Sequence, residues 1–526
     1  THCISSAASD VYKRQMYRGK IKTEVTDEKL DYDKVIEDLV ALFENCSDRG
    51  TISTICASKD WHDRIEGLKE ILHGVIKKST LKYFHGSVYW YNGKIYVPII
   101  NDVLYRALNL YLRKIGVGNS DILQGLKYLI SEVFRSLKLW CMLDPTFHIQ
   151  AYRNGVLDLT TRELHPFSPD FHVIYLHDFD YDPKAKCPLW MEFLKTVLPE
   201  KESRHILQMY LGLCTFDRGK MTDKVENCLM LYGNGSNGKS VIFETVSGIF
   251  GKENVSGIGL LSLIKGGDER MRNIAAIDGK VVNVCPEVQA KDISGYEDAF
   301  KALCSGEGQY GRKIGGNVYA VRNVPWLIFN MNALPKSTDG SHGFFRRFLY
   351  VIFGYIVPDE MQNKHLAYDL RQEYPGILNW IIRGGQYLKK RGFIFPKSGN
   401  SEKERLMAMG ESNVTMSWAY ARGIRCSASV KGELFTWIKA SELYDDMVKY
   451  AEANGFAPVD ITSFGRAMSK LGFNGESRKR TSTGMLYKAY CLTEEDLNEP
   501  VPVVSDMELT AQDLLDRDVE YDEDDL

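Results

Sequence analysis

The 526-residue sequence predicts an α/β protein: a parallel-sheet core, an α+β region ahead of it, and a helix–helix–hairpin module behind it. Three observations carry this expectation. From about 204 to 360, helical and strand-like patterns alternate, as they do where helices cover a sheet. Between 85 and 175, short alternating strands and turn signals are interleaved with helical stretches. Residues 430–491 read as helix, helix, then hairpin. With 44 % hydrophobic and 26 % charged residues, the chain can bury sizeable cores, which excludes collagen-like, mucin-like and wholly disordered classes.

The elements follow in order. Residues 1–15, THCISSAASDVYKRQ, have no amphipathic period and resemble translated adapter sequence. They are set aside as a tag would be, with Met16 the expected start or an upstream domain expected to be missing. Residues 16–200 form the expected α+β N-terminal domain. Within 27–74, Val35, Ile36, Leu39, Leu42 and Phe43 recur at helical spacing. At Val88–Ile99 the pattern changes, and Asn92-Gly93 between two β-rich runs is a strong hairpin signal. Residues 101–141 return to helix. Asn154-Gly155-Val156-Leu157-Asp158-Leu159 opens a second small hairpin, and Cys187-Pro188 leads into a helix at Leu189–Val197. Residues 201–394 make the expected core with its following helices, 395–429 a linker rich in turn residues, 430–493 the helix–helix–hairpin module, and 494–526 an acidic tail.

No apolar run reaches the roughly 18–20 residues that a membrane-spanning helix needs. Eleven cysteines are scattered without a CxxC pair, and an odd number argues against a complete disulfide framework. A reducing, cytoplasmic compartment is therefore expected.

The chemistry concentrates at Gly233-Asn234-Gly235-Ser236-Asn237-Gly238-Lys239-Ser240, a GxxxxGK[ST] match. By composition a chance match in a chain this long has a likelihood of roughly 2 %. An apolar run, Cys228–Tyr232, precedes the match, and Val241, Ile242, Val246 and Ile249 follow at helical spacing. Glycines let backbone N–H groups curl around phosphate oxygens, and the helix N-terminus adds partial positive charge. Lys239 is expected to reach the β/γ-phosphates of ATP, and Ser240 to ligate Mg²⁺. A second β-branched run, Lys280–Cys285, ends in Pro286-Glu287, where a carboxylate would polarise the attacking water and help hold Mg²⁺. A third strand, Trp326–Phe329, ends in Asn330-Met331-Asn332-Ala333-Leu334-Pro335, whose amides add no charge beside a phosphate. Then Arg346 and Arg347 lead directly into an apolar strand, and such an arginine can act on a neighbouring subunit's γ-phosphate.

These four ordered elements resemble the superfamily 3 helicases of the AAA+ class, and more closely the phage and plasmid primase-helicases related to the poxvirus replicative helicase. The resemblance extends to Asn154–Leu159, similar to the signature ahead of that family's core, and to Glu373–Trp380, similar to its post-core helix. It implies a P-loop AAA+ core and a C-terminal winged helix, with Lys239 and Ser240 as Walker A, Glu287 as the Walker B acid and Asn332 as sensor-1. Arg347, directly before the strand, would be the arginine finger, with Arg346 the alternative. It further implies a ring, expected to be a hexamer, that translocates on single-stranded DNA and unwinds duplex. In the family a DNA-gripping hairpin follows the Walker B strand. Here Gln309–Arg322 has a Gly315-Gly316 turn, with Arg312 and Lys313 approaching the tip. The single acid at Glu287 departs from the frequent acidic pair. A primase constellation is absent, so a separate primase is an expected partner.

Between 466 and 488 there are six basic residues, including Arg478-Lys479-Arg480 at an expected wing tip, against Glu476 alone. From Glu494 onward there are 14 acids and one base. The formal charge of −3 thus leaves +10 on the first 493 residues. A near-neutral total hides a basic body fit for nucleic acid and an acidic tail expected to be disordered. Three other readings stay open on the residues alone: an ATPase that remodels DNA or loads another helicase, an origin-binding protein with a regulatory ATP site, and an RNA helicase.

Overall fold

The structure, a computed structural model, describes residues 31–46, 58, 60–84, 87–117, 119–146, 148–233, 237–288, 292–321, 323–332, 335, 337, 342–358, 362–426, 435–482, 484–490 and 500–504. The adapter-like stretch, Asn234, Gly235, Ser236, Arg322, Ala333, Leu334 and the tail beyond 504 lie outside the described residues. Two compact units emerge: residues up to 145 with 167–176, and 146–166 with 177 onward. The boundary expected near 200 therefore falls inside the second unit.

In the first unit, helices α1 (Tyr32–Cys46), α2 (Trp61–Lys78), α3 (Asn101–Lys114) and α4 (Asn119–Trp140) bury one face each. Leu39, Leu68, Leu72, Leu104, Leu108, Leu129 and Val133 meet in one core. The Asp60 carboxylate caps α2, accepting from the N–H of His62 at 2.7 Å and of Asp63 at 3.2 Å. Strands β1 (Lys82–Phe84), β2 (Ser87–Tyr91) and β3 (Tyr96–Ile99) form an antiparallel sheet. The expected Asn92-Gly93 turn joins β2 and β3. Asn92 Oδ1 accepts from Lys94 and Ile95, and Gly93 takes φ +94°.

The second unit opens with an antiparallel sheet of β4 (Ile149–Tyr152), β5 (Gly155–Asp158) and β6 (Leu164–His165). Asn154 ties its turn to a distant extended segment, donating to Tyr181 O at 2.8 Å and accepting from Tyr181 N at 2.9 Å. Helix α5 (Pro188–Val197) lacks a side-chain cap of its own. The Glu373 carboxylate supplies one, accepting from the N–H of Leu189 at 3.0 Å and of Trp190 at 2.9 Å. Trp190 and Leu194 share a core with Ile206, Ile242 and Trp380, which is why this stretch belongs to the second unit. Helix α6 (Lys201–Leu213) follows.

The central sheet has five described strands, all paired in parallel: β7 (Cys228–Tyr232), β8 (Val255–Ser256), β9 (Val282–Val288), β12 (Trp326–Met331) and β13 (Phe348–Ile352). Their order is β13-β7-β12-β9-β8. The parallel-sheet α/β core read from the alternating pattern is thus present. Both faces are covered, which explains the near-continuous apolar runs in β7 and β12. On one face lie α6, α7 (Lys239–Phe250) and, after α8–α12, α13 (Tyr374–Lys390). The intervening helices are α8 (Leu260–Ile264), α9 (Asp268–Ile277), α10 (Glu297–Ser305), α11 (His342–Phe345) and α12 (Leu366–Asp369). Residues of α8, α9, α10 and α11 pack on the opposite face. Helices α6 and α13 touch backbone to backbone: a Cβ on Gly212 would lie 2.5 Å from Gly385 Cα. The two short helices α8 and α9 were not expected from the sequence. A separate hairpin, β10 (Tyr310–Arg312) with β11 (Val318–Ala320), rises between β9 and β12 in the chain.

Residues 395–413, expected to be linker, instead enter α14 (Gly399–Ser412), followed by α15 (Val414–Ala421). Ala408, Met409 and Met416 pack into the sheet's second core, so these helices dock the C-terminal module instead of spacing it. That module comprises β14 (Arg425–Cys426), β15 (Phe435–Lys439), α16 (Ala440–Ala453), α17 (Ile461–Lys470), β16 (Arg478–Thr481) and β17 (Gly484–Tyr490). The expected helix–helix–hairpin order holds, and β17 pairs with β14, β15 and β16. Lys439 holds the N-cap position of α16, and Ser441 lies one residue inside it.

Candidate functional site

The parallel register decides which expected site residues meet. Met331 of β12 pairs with Tyr232 of β7 and with Val288 of β9. The carboxyl ends of these three strands are therefore level, and open α/β sheets bind ligands at that edge. Gly233, Lys239, Glu287 and Asn332 all belong to this edge. Gly233 N donates to Met331 O at 3.2 Å, which ties the start of the loop to the residue before Asn332. Asn332 is exposed one residue beyond the end of β12. Only the backbone of Glu287 is described, within β9.

Two glycines of the loop have no room for a side chain. Gly238 holds φ +84° at the N-cap of α7, and a Cβ there would lie 2.8 Å from Phe193. A Cβ on Gly233 would lie 2.7 Å from Phe353 O. Lys239 is buried in the first turn of α7. Its ammonium donates to Gly233 O at 2.6 Å and Asn237 Oδ1 at 2.9 Å. Burial holds its pKa below the usual lysine range. Asn237 donates to Phe353 O at 3.2 Å, linking the loop to the end of β13. Ser240 is exposed in the same turn. A helix N-terminus and a buried lysine beside glycines fixed by close approach make a donor set that fits a polyphosphate.

Sequence reasoning named Asn330 only as one of the amides at the end of the third strand and gave it no role of its own. It is buried in β12, and its amide donates to Pro286 O at 3.1 Å. Among the described residues, its buried Oδ1 has no hydrogen-bond partner. Between Phe329 and Met331 the register with β9 shifts by one residue. The extra residue falls at Pro286-Glu287, where proline has no N–H to give the ladder. Asn330 thus spans the bulge that carries Glu287. The available signal was an amide inside an otherwise apolar run.

Arg346 and Arg347 lie elsewhere. They precede β13, whose Phe348 pairs with Cys228 and Ile352 with Tyr232. At about 3.3 Å per residue, these strands put about 13 Å between the arginines' end of the sheet and the loop's end. Both guanidinium groups bind Glu226, just before β7. The arginine pair and the glycine-rich loop of one chain therefore occupy opposite ends of the sheet.

The β10–β11 hairpin has Gly315 at φ +72° and an exposed tip. Ile314 is 86 % exposed beside exposed Lys313. Arg312, expected to approach the tip, turns back: NH1 lies 3.3 Å from Asp268 Oδ1 and Nε donates to Gly316 O at 3.3 Å. In the C-terminal module, Arg478, Lys479 and Arg480 lie along β16 and not at the turn, which falls between Thr481 and Gly484. All three are exposed, and Lys479 lies 4.5 Å from the centre of the Trp437 ring. Among the described residues, no helix is long and apolar enough to cross a membrane.

The fold and site together define an α/β protein with a glycine-rich loop and helix N-terminus at the carboxyl edge of a parallel sheet. Residues 231–347 match a family model described as a family of unknown function, DUF5906. Residues 143–199 match one described as D5 N terminal like. Among solved structures, the chain is similar to the A form apo structure of the NrS-1 C terminal region-CTR. That likeness has 11 % identity and a TM-score of 0.33, and covers 66 % of this chain and 96 % of the other. It is also similar to the apo structure of the NrS-1 C terminal region, with 12 % identity, a TM-score of 0.33, and 60 % and 79 % of the two chains covered.

Proposed function

We propose that the chain is an ATP-dependent replicative DNA helicase of the phage and plasmid primase-helicase kind, with a superfamily 3 AAA+ core. In this reading it acts as a ring, a hexamer, and hydrolyses ATP between subunits to translocate on single-stranded DNA and unwind duplex. One observation carries the reading: the glycine-rich loop, Glu287 and Asn332 share one end of the sheet, while Arg346 and Arg347 sit at the other. A single chain cannot bring both ends to one γ-phosphate; a neighbouring copy can. The D5 N terminal like match directly ahead of the core agrees with this reading.

The roles follow from position. The N-terminus of α7 and Lys239 bind the phosphates. Ser240 and Glu287 would hold Mg²⁺, which supplies charge neutralisation on the β/γ-oxygens when bound. Glu287 orients the attacking water, and Asn332 holds it without adding charge. Lys313 on the hairpin and the basic edge strand β16, in a module we read as a winged helix, contact DNA phosphates.

The test measures ATP hydrolysis with and without single-stranded DNA, and strand displacement from a forked duplex, in Mg²⁺ and after chelation. The reading predicts stimulated hydrolysis and displacement, both lost on chelation and in Lys239→Ala. Stimulated hydrolysis without displacement would favour a remodelling or helicase-loading ATPase. Hydrolysis indifferent to DNA would remove the nucleic-acid role.

A further inference from the structure

Glu226 gathers four partners at the amino edge of the sheet. One carboxylate oxygen receives Arg346, and the other lies 3.1 Å from an Arg347 terminal nitrogen. The second oxygen also accepts from Ser305 Oγ at 2.8 Å and lies 3.1 Å from Lys224 Nζ. The main chain holds the same corner: Cys228 N donates to Arg347 O at 2.8 Å, and Asn227 Nδ2 to Arg346 O at 3.0 Å. Burial pushes the Glu226 carboxyl up. The hydrogen bonds from Ser305 and Lys224 and the charges of Arg347 and Arg346 outweigh it and bring its pKa down to about 2. Glu226 is therefore an anion at neutral pH.

The two arginines are not equivalent. The Arg347 side chain is 10 % exposed, and its terminal nitrogens are taken up by Gly343 O, Glu226 and Ser305. The Arg346 side chain is 49 % exposed and has Glu226 as its anchor. Two adjacent guanidinium groups repel, and a shared, largely buried carboxylate lets them stand side by side.

We infer that Glu226 is a positioning residue for the cross-subunit site: with Arg347 it forms a fixed anchor that aims Arg346 at the neighbouring subunit's γ-phosphate. This rests on the reading that the arginine pair acts across a subunit boundary. It reverses the order that sequence position suggested. Arg346 becomes the group that touches the phosphate, and Arg347 the group that holds it in line.

The experiment mixes full-length chains carrying substitutions on opposite sides of the interface. Glu226→Ala and Lys239→Ala should each hydrolyse ATP poorly. Glu226→Ala should keep its nucleotide affinity within about twofold while kcat falls about 10–100-fold, part of what an arginine finger supplies. Mixed in equal amounts, the two should regain hydrolysis at about a quarter of interfaces, where an intact loop faces an intact Glu226. Glu226→Ala combined with Arg347→Ala should lose no more than either alone, because the two act as one unit. A control pairs Arg346→Ala with Lys239→Ala.

Recovery in the control without recovery in the Glu226 mixture overturns the inference and leaves the cross-subunit reading standing. Failure of both mixtures overturns both. Additive losses in the double variant would also refute a shared anchor. Should Glu226→Ala unfold, Glu226→Gln keeps the shape and the acceptor oxygen. The same complementation then applies, with the urea midpoint as the folding control.

Discussion

A buried carboxylate ties the C-terminal module to the helices ahead of it, beside the apolar core they share. Asp446 of α16 accepts from Trp418 Nε1 at 2.7 Å and from Arg422 Nε at 3.0 Å, and lies 2.6 Å from a second Arg422 nitrogen. The side chains of Arg422 and Asp446 are 7 % and 4 % exposed. Trp418 belongs to α15, and α15 and α14 pack against the sheet core. The contact therefore joins the basic edge strand's module to the nucleotide-bearing sheet. Replacing Asp446 by alanine removes the carboxylate from a buried ion pair, a change that costs about 3–5 kcal/mol. It also strands an indole N–H, whose desolvation adds about 1–3 kcal/mol where it cannot reach water. The two losses share one site and do not simply add. A net of about 3–5 kcal/mol would raise the undocked population about 150- to 4,000-fold. Urea denaturation followed by tryptophan fluorescence should show the module melting well before the sheet. A midpoint within about 1 kcal/mol of wild type would refute the reasoning, since an exposed pair would behave that way.

Other expectations follow from the same geometry. Lys239→Ala should abolish turnover by removing the ammonium from the phosphate-facing loop; hydrolysis at wild-type rates would take Lys239 out of the site. Lys313→Ala should lower the slope of log affinity for single-stranded DNA against log salt by about one, and an unchanged slope would remove the hairpin tip from the DNA path. His205 of α6 is neutral in the fold: burial first, then the charges of Lys201, Arg204 and Arg391, bring its pKa from 6.5 down to about 4. Because the folded value is the lower one, its contribution is fully present above about pH 6.5 and is lost as pH falls toward 4, by up to about 1.4 kcal/mol per pH unit. His205→Gln should flatten the urea-midpoint profile across that window, and a profile parallel to wild type would contradict the burial argument.

Local signals were legible wherever one residue type has one physical use. The Asn92-Gly93 turn, the strand–loop–helix at 228–250 and the β12 run could be read because turn geometry, phosphate approach and burial on both faces each restrict composition. Residues 395–413 misled because Gly399 and Gly410 read as breakers. Gly410 in fact sits within α14 because a Cβ there would lie 2.5 Å from Phe456 Cε2. The assignment of 177–200 to the sheet unit depends on Glu373 capping α5 from far along the chain. The retreat of Arg312 from the hairpin tip depends on Asp268, and the anchoring of the arginine pair on Glu226, which lies 121 residues before Arg347 in sequence. Such partnerships are tertiary, and periodicity carries no trace of them.

The central claim is that one chain supplies the phosphate loop and its neighbour supplies the arginines. Mixing Lys239→Ala chains with Arg346→Ala chains, each poorly active alone, tests it most directly. The account predicts that ATP hydrolysis reappears, approaching about a quarter of the wild-type interfaces at equal mixing. A mixture as inactive as its components would contradict it.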